Sequence, residues 1–280
     1  MQFQMNVKIY FRLIVLLGVK IAHAQSASTL MGGRSGGMGN SSSVIADEWS
    51  IFNNIGGLGK ISQPTNSCFA YEAHPALVGA NRMAASISTP TKVGVWGLGI
   101  FRFGDDVYSE HVVSMGFGNQ IGNTSLGLKA NYIQYRAERF GTTNAVSLDF
   151  GGITQITRQI SIGAYITNLT QSKLQGTDGE RLPAKLVAGV GFRPSEKVFV
   201  TAEIEKDLDY QTTWRGGIEY SVYKKVFFRT GFNINPNAAY AGLGARKKKI
   251  NFDYAIRFSQ LIGTAHQASA TYLISAKKKK

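Results

Sequence analysis

Residues capable of catalysis or metal binding are few in this chain and lie far apart. Three of the four histidines, His74, His111 and His266, share no metal-ligand spacing. Asp105 and Asp106 form a carboxylate pair, but adjacent acids of this kind are typical of a solvated turn rather than of acid–base catalysis. No nucleophile elbow or phosphate-binding loop occurs. The sequence therefore predicts no catalytic site and no metal site, and it indicates a protein that is not an enzyme.

Two further features have an ordinary structural interpretation. Cys68 is the single cysteine of the chain, which excludes a disulfide scaffold. We expect a buried, apolar thiol there, with a reactive thiol as the alternative. The glycine-rich stretch Gly32–Gly39 does not follow a strand and open a helix, so it does not predict a nucleotide site. No cofactor is expected.

The distribution of charge excludes another class of partner. The chain has 280 residues, 31 Lys and Arg, 17 Asp and Glu, and a formal net charge of +14. Its basic residues concentrate in the terminal run Lys277–Lys280 and in predicted turns such as Lys247–Lys249, not along a helix face. We therefore do not expect binding to nucleic acid.

Residues 1–24 are predicted to be a signal peptide. Lys8 and Arg12 give a positive start, an apolar run follows at 13–17, and Ala22-His23-Ala24 fits the small-x-small cleavage pattern. The apolar run is shorter than the about 20 residues that a membrane-spanning helix requires. Because Gln25 rather than a cysteine follows the cleavage site, we expect an exported protein without a lipid anchor.

The strongest pattern beyond this leader is the alternation of apolar and polar residues. In segment 250–258, one face carries Ile250, Phe252, Tyr254, Ile256 and Phe258, and the other carries Asn251, Asp253, Ala255 and Arg257. Successive side chains of a strand point to opposite faces, so such a segment is typical of a strand with one apolar face. The pattern predicts about fourteen strands, near 66–73, 79–89, 92–103, 110–120, 124–136, 144–155, 159–168, 184–193, 197–206, 212–223, 226–234, 239–246, 250–259 and 265–275.

The predicted connections alternate in length. Turns after even-numbered strands are tight, and several loops after odd-numbered strands are longer, at 104–109, 137–143, 169–183, 207–211 and 261–264. Short turns at one end and longer loops at the other are typical of an outer-membrane barrel with periplasmic termini. The prediction is therefore an all-β fold, a transmembrane antiparallel β-barrel in the bacterial outer membrane. A soluble propeller or sandwich is the alternative, and it does not explain the loop asymmetry.

In such a barrel the apolar faces contact lipid and the polar faces line the lumen. The charges predicted to face inward are Lys129, Lys185, Arg193, Glu203, Arg215, Glu219, Arg229, Arg246, Asp253 and Arg257. One interpretation is a ladder of ion pairs and hydrogen bonds that fills a narrow interior. The other is a polar pore.

Residues 25–65, between the leader and the first predicted strand, form a separate unit. Its part Met31–Lys60 is rich in glycine and too irregular for a strand. Its apolar side chains predict packing rather than a flexible linker, and they are Trp49, Ile51, Phe52, Ile55 and Leu58.

This unit resembles the N-terminal hatch of FadL-like outer-membrane barrels, and most of all the PorV and PorQ group associated with type IX secretion in Bacteroidota. The residues that carry the resemblance are Gly33, Arg34, Gly37, Met38, Gly39, Ala46, Asp47, Asn54, Gly57 and Leu58. Segments 126–129, 251–255 and 263–266 resemble the same family. The family usually has Asn-Pro-Ala where this chain has Asn54-Ile55-Gly56.

The resemblance covers nearly all of the mature chain and implies a fourteen-stranded barrel, here at 66–275, with residues 25–65 inside its lumen. It further implies that a small set of residues holds the hatch in place, and this set is Arg34, Gly37, Gly39, Asp47, Trp49, Asn54 and Leu58. The chain departs from the common aromatic ending of outer-membrane barrels, because a Lys-rich tail, residues 276–280, follows the last strand.

Two functions follow from the resemblance. The first is a partner-binding subunit of an outer-membrane machine, in which the barrel contacts membrane lipid and other outer-membrane or periplasmic proteins. The second is a FadL-like transporter of small hydrophobic molecules. The shortness of most loops and the density of charge in the lumen favour the first. A small-solute porin is a third possibility, which a filled lumen would exclude.

Overall fold

A computed structural model describes residues 28–62, 64–175, 181–207 and 210–274. The predicted signal peptide, residues 1–24, and the Lys-rich tail, residues 276–280, lie outside the described residues. The helical content of the described part is small. It comprises the helix α1, Gly33–Gly37, and a 3₁₀ helix, Ile55–Lys60. Neither these nor any other described residues form a helix long and apolar enough to cross a membrane.

Fourteen antiparallel strands close into one barrel, in which β1 pairs with β14 and every other strand pairs with its neighbours in sequence. The predicted barrel is confirmed. The strands are β1 Thr65–Ala73, β2 Arg82–Pro90, β3 Val95–Gly104, β4 Tyr108–Ile121, β5 Thr124–Ala137, β6 Gly141–Gln155, β7 Ile160–Thr167, β8 Lys185–Ser195, β9 Val198–Asp207, β10 Thr213–Tyr223, β11 Val226–Ile234, β12 Ala238–Lys247, β13 Ile250–Ser259 and β14 Gly263–Ile274.

The alternation in the sequence appears as two distinct barrel surfaces. On β3, the outward side chains of Leu98 and Ile100 are 51% and 59% exposed, whereas the inward side chain of Phe101 is buried. Large exposed apolar side chains lie on the outer surface of every other strand except β9, whose outward Val200 and Ile204 are half-buried. Because apolar groups on the outside of a closed barrel are favourable only against lipid, this surface is that of a membrane barrel.

The two ends of the barrel differ, but less than the sequence predicts. One end, called here the short-turn end, carries tight connections such as 122–123 and 248–249. The other, the long-loop end, carries the connections 74–81 and 168–184. The loop predicted at 137–143 is wrong: β5 and β6 continue pairing up to Ala137 and Gly141, because the residues between them close a tight turn.

Residues 28–62, called here the N-terminal segment, run through the interior of the barrel from one end to the other. Ser28 lies at the long-loop end, where Arg82 Nη1 donates a 2.8 Å hydrogen bond to its carbonyl oxygen. Lys60 lies near Gln155 and Gln159 at the short-turn end. The last described strand, β14, ends at Ile274 at the short-turn end. That both termini face the periplasm stays a prediction.

The buried core of the molecule lies between this segment and the inner wall. Trp49, Ile51, Phe52, Ile55 and Leu58 are all at most 3% exposed and pack against inward side chains of the first strands. A second, smaller cluster joins residues 38–45 to β9. The apolar anchors read from the sequence thus pack inside the barrel, as expected for a folded unit rather than a linker.

Candidate functional site

The lumen contains a chain of ion pairs that joins the N-terminal segment to the wall. Arg34 in α1 donates to both oxygens of Glu219, from Nε at 2.9 Å and Nη2 at 2.8 Å. Arg229 Nε donates to Glu219 Oε2 at 2.7 Å, and its Nη1 donates to Asp253 Oδ1 at 2.6 Å. Asp47 Oδ2 lies 3.7 Å from Arg34 Nη1. Each buried charge therefore has an opposite partner, which is what burial of charge requires.

A second connection uses backbone groups of the segment. The N–H groups of Ser42 and Ser43 both donate to Glu203 Oε2, at 2.8 and 2.6 Å. Glu203 Oε1 accepts a 2.9 Å bond from Arg215, whose other terminal nitrogen donates to Glu205 at 2.6 Å. A carboxylate that accepts two adjacent N–H groups fixes the backbone between them, so Glu203 holds this turn of the segment against β9.

Asn54 links three parts of the interior through one side chain. Its Nδ2 donates to the carbonyl oxygen of Ser43 at 2.6 Å and to that of Gly152 in the wall at 3.1 Å. Its Oδ1 accepts the N–H of Gly56 at 3.0 Å, which caps the 3₁₀ helix. Asn54 is fully buried, so its loss would leave several of these backbone groups unpaired.

Two pairs of glycines allow the segment to touch the wall directly. A Cβ on Gly56 would lie 2.6 Å from Gly152 Cα, and a Cβ on Gly37 would lie 2.9 Å from Gly242 Cα. No larger residue fits at these contacts without moving the backbone. The close wall at Gly152 is the physical reason for glycine at position 56 in this chain.

Gly39, Asp47, Trp49 and Leu58 complete the set of hatch residues predicted from the sequence. Gly39 has φ +73°, and a Cβ there would lie 2.6 Å from the carbonyl oxygen of Phe232. Asp47 Oδ1 accepts the N–H of Trp49 at 3.0 Å and so opens a helical turn. Trp49 is buried, and Leu58 is fully buried between the inner faces of β3 and β4. Burial raises the pKa of the Asp47 carboxyl, with Arg34 acting against this rise, and burial also raises the pKa of Glu48 beside it.

The inward positions of the strands carry every charge that the sequence assigns to the lumen. Lys129 pairs with Asp149 at 2.9 Å, and Lys185 lies 3.3 Å from Glu205. The guanidinium carbons of Arg193 and Arg246 each lie 4.5 Å from the centre of an inward phenylalanine ring. Arg257 Nη2 lies 2.8 Å from His74 Nε2. The remaining five take part in the two networks described above, so the filled interior explains these charges better than an open pore does.

Several charged residues of these networks were not predicted from the sequence. They are Glu72, Arg82, Asp149 and Glu205. The overlooked signal is the pairing of opposite charges between adjacent strands: Lys129 lies directly across from Asp149 in the β5–β6 ladder. Cys68 is a buried thiol beside Thr271, and Asp105 Oδ1 accepts N–H groups in its turn, as expected of both.

Above the segment, at the long-loop end, the lumen opens into a polar cavity of about 750 Å³. It is called here the vestibule, and its wall includes His74, Arg82, Lys185, Arg215 and Arg257. Arg82, Lys185 and Arg215 pair with acids of the wall, whereas Arg257 contacts His74, so the vestibule is polar.

A second cavity of about 110 Å³, called here the inner pocket, lies beside the vestibule. Nine of its seventeen lining residues are polar or charged, among them Asp149, Lys185 and Glu205, and the other eight are apolar or aromatic. Phe52 of the N-terminal segment forms part of it, together with Val112, Ile133, Tyr135 and Leu182 from the wall. An apolar and aromatic cluster beside polar groups is a lining that occurs in sites for small ligands.

The inner pocket lies where the strand wall is incomplete. β6 has 15 residues and β7 only 8, and their pairing ends at Phe150 and Ile166. Beyond that point β6 is covered by a loop, in which the N–H of Leu169 donates to the carbonyl oxygen of Leu148 at 2.7 Å and Asn168 Nδ2 donates to that of Leu182 at 2.8 Å. Isolated hydrogen bonds replace a continuous ladder along this part of β6.

No known protein family and no curated protein matches the sequence. Solved structures do match. The Pseudomonas putida toluene transporter TodX superimposes with a TM-score of 0.65 at 12% identity, over 89% of this chain and 98% of TodX. The CymD monoaromatic hydrocarbon channel gives 0.64 at 12% identity, over 90% and 100%. A Pseudomonas aeruginosa FadL homologue gives 0.62 at 12% identity, over 89% and 100%. The chain therefore has the fold of FadL-like outer-membrane barrels.

Proposed function

We propose that the protein is an outer-membrane channel for small hydrophobic molecules. The observation that carries this proposal is the inner pocket, a cavity with a cluster of apolar and aromatic side chains in its lining, which lies beside the vestibule at the incomplete part of the wall. The similar solved barrels include a toluene transporter and a monoaromatic hydrocarbon channel, which supports the same class of ligand.

The size of the inner pocket sets the size of the ligand. Its volume is about 110 Å³, and a cavity of about 150 Å³ lined by apolar side chains takes up benzene. A molecule with a single aromatic ring therefore matches the site after small side-chain movements. Longer apolar chains would have to extend into the vestibule, where the wall is polar.

The route would run from the vestibule to the inner pocket and leave sideways between β6 and β8. A straight path to the short-turn end is closed by the N-terminal segment, since Gly56 and Gly59 touch the wall there. In this proposal the long loops face outward and the short-turn end faces the periplasm.

Ligand binding to the purified protein tests this function. We expect saturable binding of radiolabelled toluene in equilibrium dialysis, and a loss of at least tenfold in affinity for Val112→Phe, which fills the inner pocket. Val113→Phe is the matched control, because Val113 is the next residue on the same strand and points outward. Absence of saturable binding, or equal binding by wild type and Val112→Phe, would refute the proposal.

The second candidate is a partner-binding subunit like PorV or PorQ. The observation that favours it is the tight filling of the lumen by the N-terminal segment, which suits a rigid scaffold. Extraction from the native membrane in mild detergent, followed by mass spectrometry, separates the two. Stoichiometric outer-membrane or periplasmic proteins would support the scaffold, and a barrel that carries only lipid or a small hydrophobe would support the channel.

A further inference from the structure

The outer surface of the barrel carries a row of polar side chains at the long-loop end of four neighbouring strands. Arg102 on β3 lies directly across from His111 on β4, His111 from Gln134 on β5, and Gln134 from Asn144 on β6. Arg136 follows two positions beyond Gln134 on the same face of β5. These five residues are called here the polar belt.

The polar belt faces away from the lumen. The residues adjacent to its members in sequence, among them Phe101, Val112 and Tyr135, are buried and point inward. Because side chains alternate along a strand, Arg102, His111, Gln134 and Arg136 point outward.

The belt marks the upper limit of the apolar outer surface. Two positions toward the short-turn end, the four strands present Ile100, Val113, Tyr132 and Val146, which are 47–59% exposed. A membrane barrel exposes such side chains to the hydrocarbon core. The belt therefore lies at the level of the lipid head groups.

The belt carries two guanidinium groups and one imidazole. None of the ion pairs among the described residues includes Arg102, His111 or Arg136. The Nε of Arg102 is buried and has no hydrogen-bond partner in the described part of the chain. An unpartnered, buried donor is costly in a protein unless a ligand accepts its hydrogen bond.

From this geometry we propose that the polar belt binds a phosphate group of an outer-leaflet glycolipid. Guanidinium groups match phosphate oxygens in charge and in geometry. Gln134 donates from Nε2 to Asn144 Oδ1 at 3.3 Å, which orders the amide row beside the two arginines. A membrane lipid is the natural occupant, because its phosphate lies at the boundary where the apolar surface ends. The inference uses only the membrane location and the outward long-loop end of the proposed channel, not its ligand.

Binding of phosphorylated lipid A to the purified protein in detergent tests this site, with native mass spectrometry as the readout. Wild type should retain lipid A. The double variant Arg102→Gln/Arg136→Gln should lose affinity for lipid A by a factor on the order of ten or more, because two cationic contacts are lost. Lys224→Gln/Lys225→Gln is the matched control, since it removes two exposed charges at the short-turn end. It should bind like wild type.

Lipids of different chemistry identify the group that is recognised. Dephosphorylated lipid A should bind wild type weakly, and inorganic phosphate at millimolar concentration should not displace lipid A. Equal binding of the phosphorylated and dephosphorylated forms, or of lipid A to wild type and to the double arginine variant, would overturn the proposal. Equal binding of phosphatidylglycerol and lipid A would also overturn it. So would an acidic protein that binds wild type but not the double arginine variant, when both bind lipid A equally. Toluene binding by these variants should not change, so the two proposals fail independently.

Discussion

Arg34 of the N-terminal segment and Glu219 of β10 form a two-point ion pair inside the barrel, with N–O distances of 2.8 and 2.9 Å. The side chains are 13% and 7% exposed, so the pair is largely withdrawn from solvent. Glu219 also accepts from Arg229, which continues the network into the wall. The pair therefore couples the position of the segment to the side chains of the strands.

Loss of Arg34 should loosen the N-terminal segment. Breaking one partner of a buried ion pair costs about 3–5 kcal/mol, because the other charge stays buried. Arg34→Ala should raise single-channel conductance in planar bilayers and lower the temperature of the heat-induced mobility shift in gel electrophoresis. The double variant Arg34→Ala/Glu219→Gln should recover part of the lost heat stability, because Glu219 no longer carries a charge. Arg139→Ala, on an exposed turn, is the control, and wild-type conductance of Arg34→Ala would contradict a holding role.

Trp49 should contribute to seating of the segment through packing rather than charge. It is 2% exposed, its ring centre lies 6.2 Å from that of Phe52, and it covers Gly32. Replacing a buried tryptophan by alanine costs about 3–5 kcal/mol. Trp49→Ala should lower resistance to heat and increase conductance, whereas Trp96→Ala, which removes an outward ring, should leave conductance unchanged. Wild-type values of both properties in Trp49→Ala would be incompatible with this role.

A methyl group at position 56 should disrupt the contact between segment and wall. The Cβ of Gly56→Ala would lie 2.6 Å from Gly152 Cα and 2.8 Å from the Gly151 carbonyl oxygen, so the backbone must move. We expect faster cleavage of the segment by added protease and a lower unfolding temperature. Gly122→Ala is the comparison, because that turn glycine has φ +57° and nothing within 4 Å of the added atom, which leaves only the strain of about 1–2 kcal/mol of a left-handed residue. Equal effects of the two substitutions would contradict the close contact.

The fold could be predicted because its main signal is local. Each strand spans the membrane with one apolar face, so alternation alone places all fourteen strands, most of them within three residues of their observed ends. The same alternation assigns inward charges such as Lys129. It does not give their partners, since Asp149 is recognised only after the β5–β6 register is known.

The interior could be predicted only in part. The N-terminal segment has no periodic pattern, because its backbone follows the shape of the wall rather than a regular helix or strand. The fixing of Ser42 and Ser43 by Glu203 uses backbone N–H groups, which leave no trace in the residue types. The resemblance singled out Asn54, and only the structure reveals its bonds to Ser43 and Gly152.

The seating of the N-terminal segment should depend on pH through Asp47 and Glu48. Burial raises the pKa of both carboxyls, so the folded state binds protons more tightly than the unfolded state does. Stability from these groups is present below their ordinary pKa values near 4 and is lost as the pH rises through the raised values. Removing one of the two charges should therefore reduce the loss of stability at neutral pH.

Glu48→Gln tests this dependence with little change in shape. The side-chain oxygen of the glutamine can still accept the hydrogen bond that Asn251 Nδ2 donates to Glu48 at 3.4 Å. We expect a midpoint of the heat-induced mobility shift a few degrees above wild type at pH 7.5, and a smaller difference between the two proteins at pH 4.5, where the wild-type carboxyl takes up a proton. Glu196→Gln, on an exposed turn, should follow wild type at both values. A pH profile of Glu48→Gln parallel to that of wild type would show that this carboxyl does not control the seating.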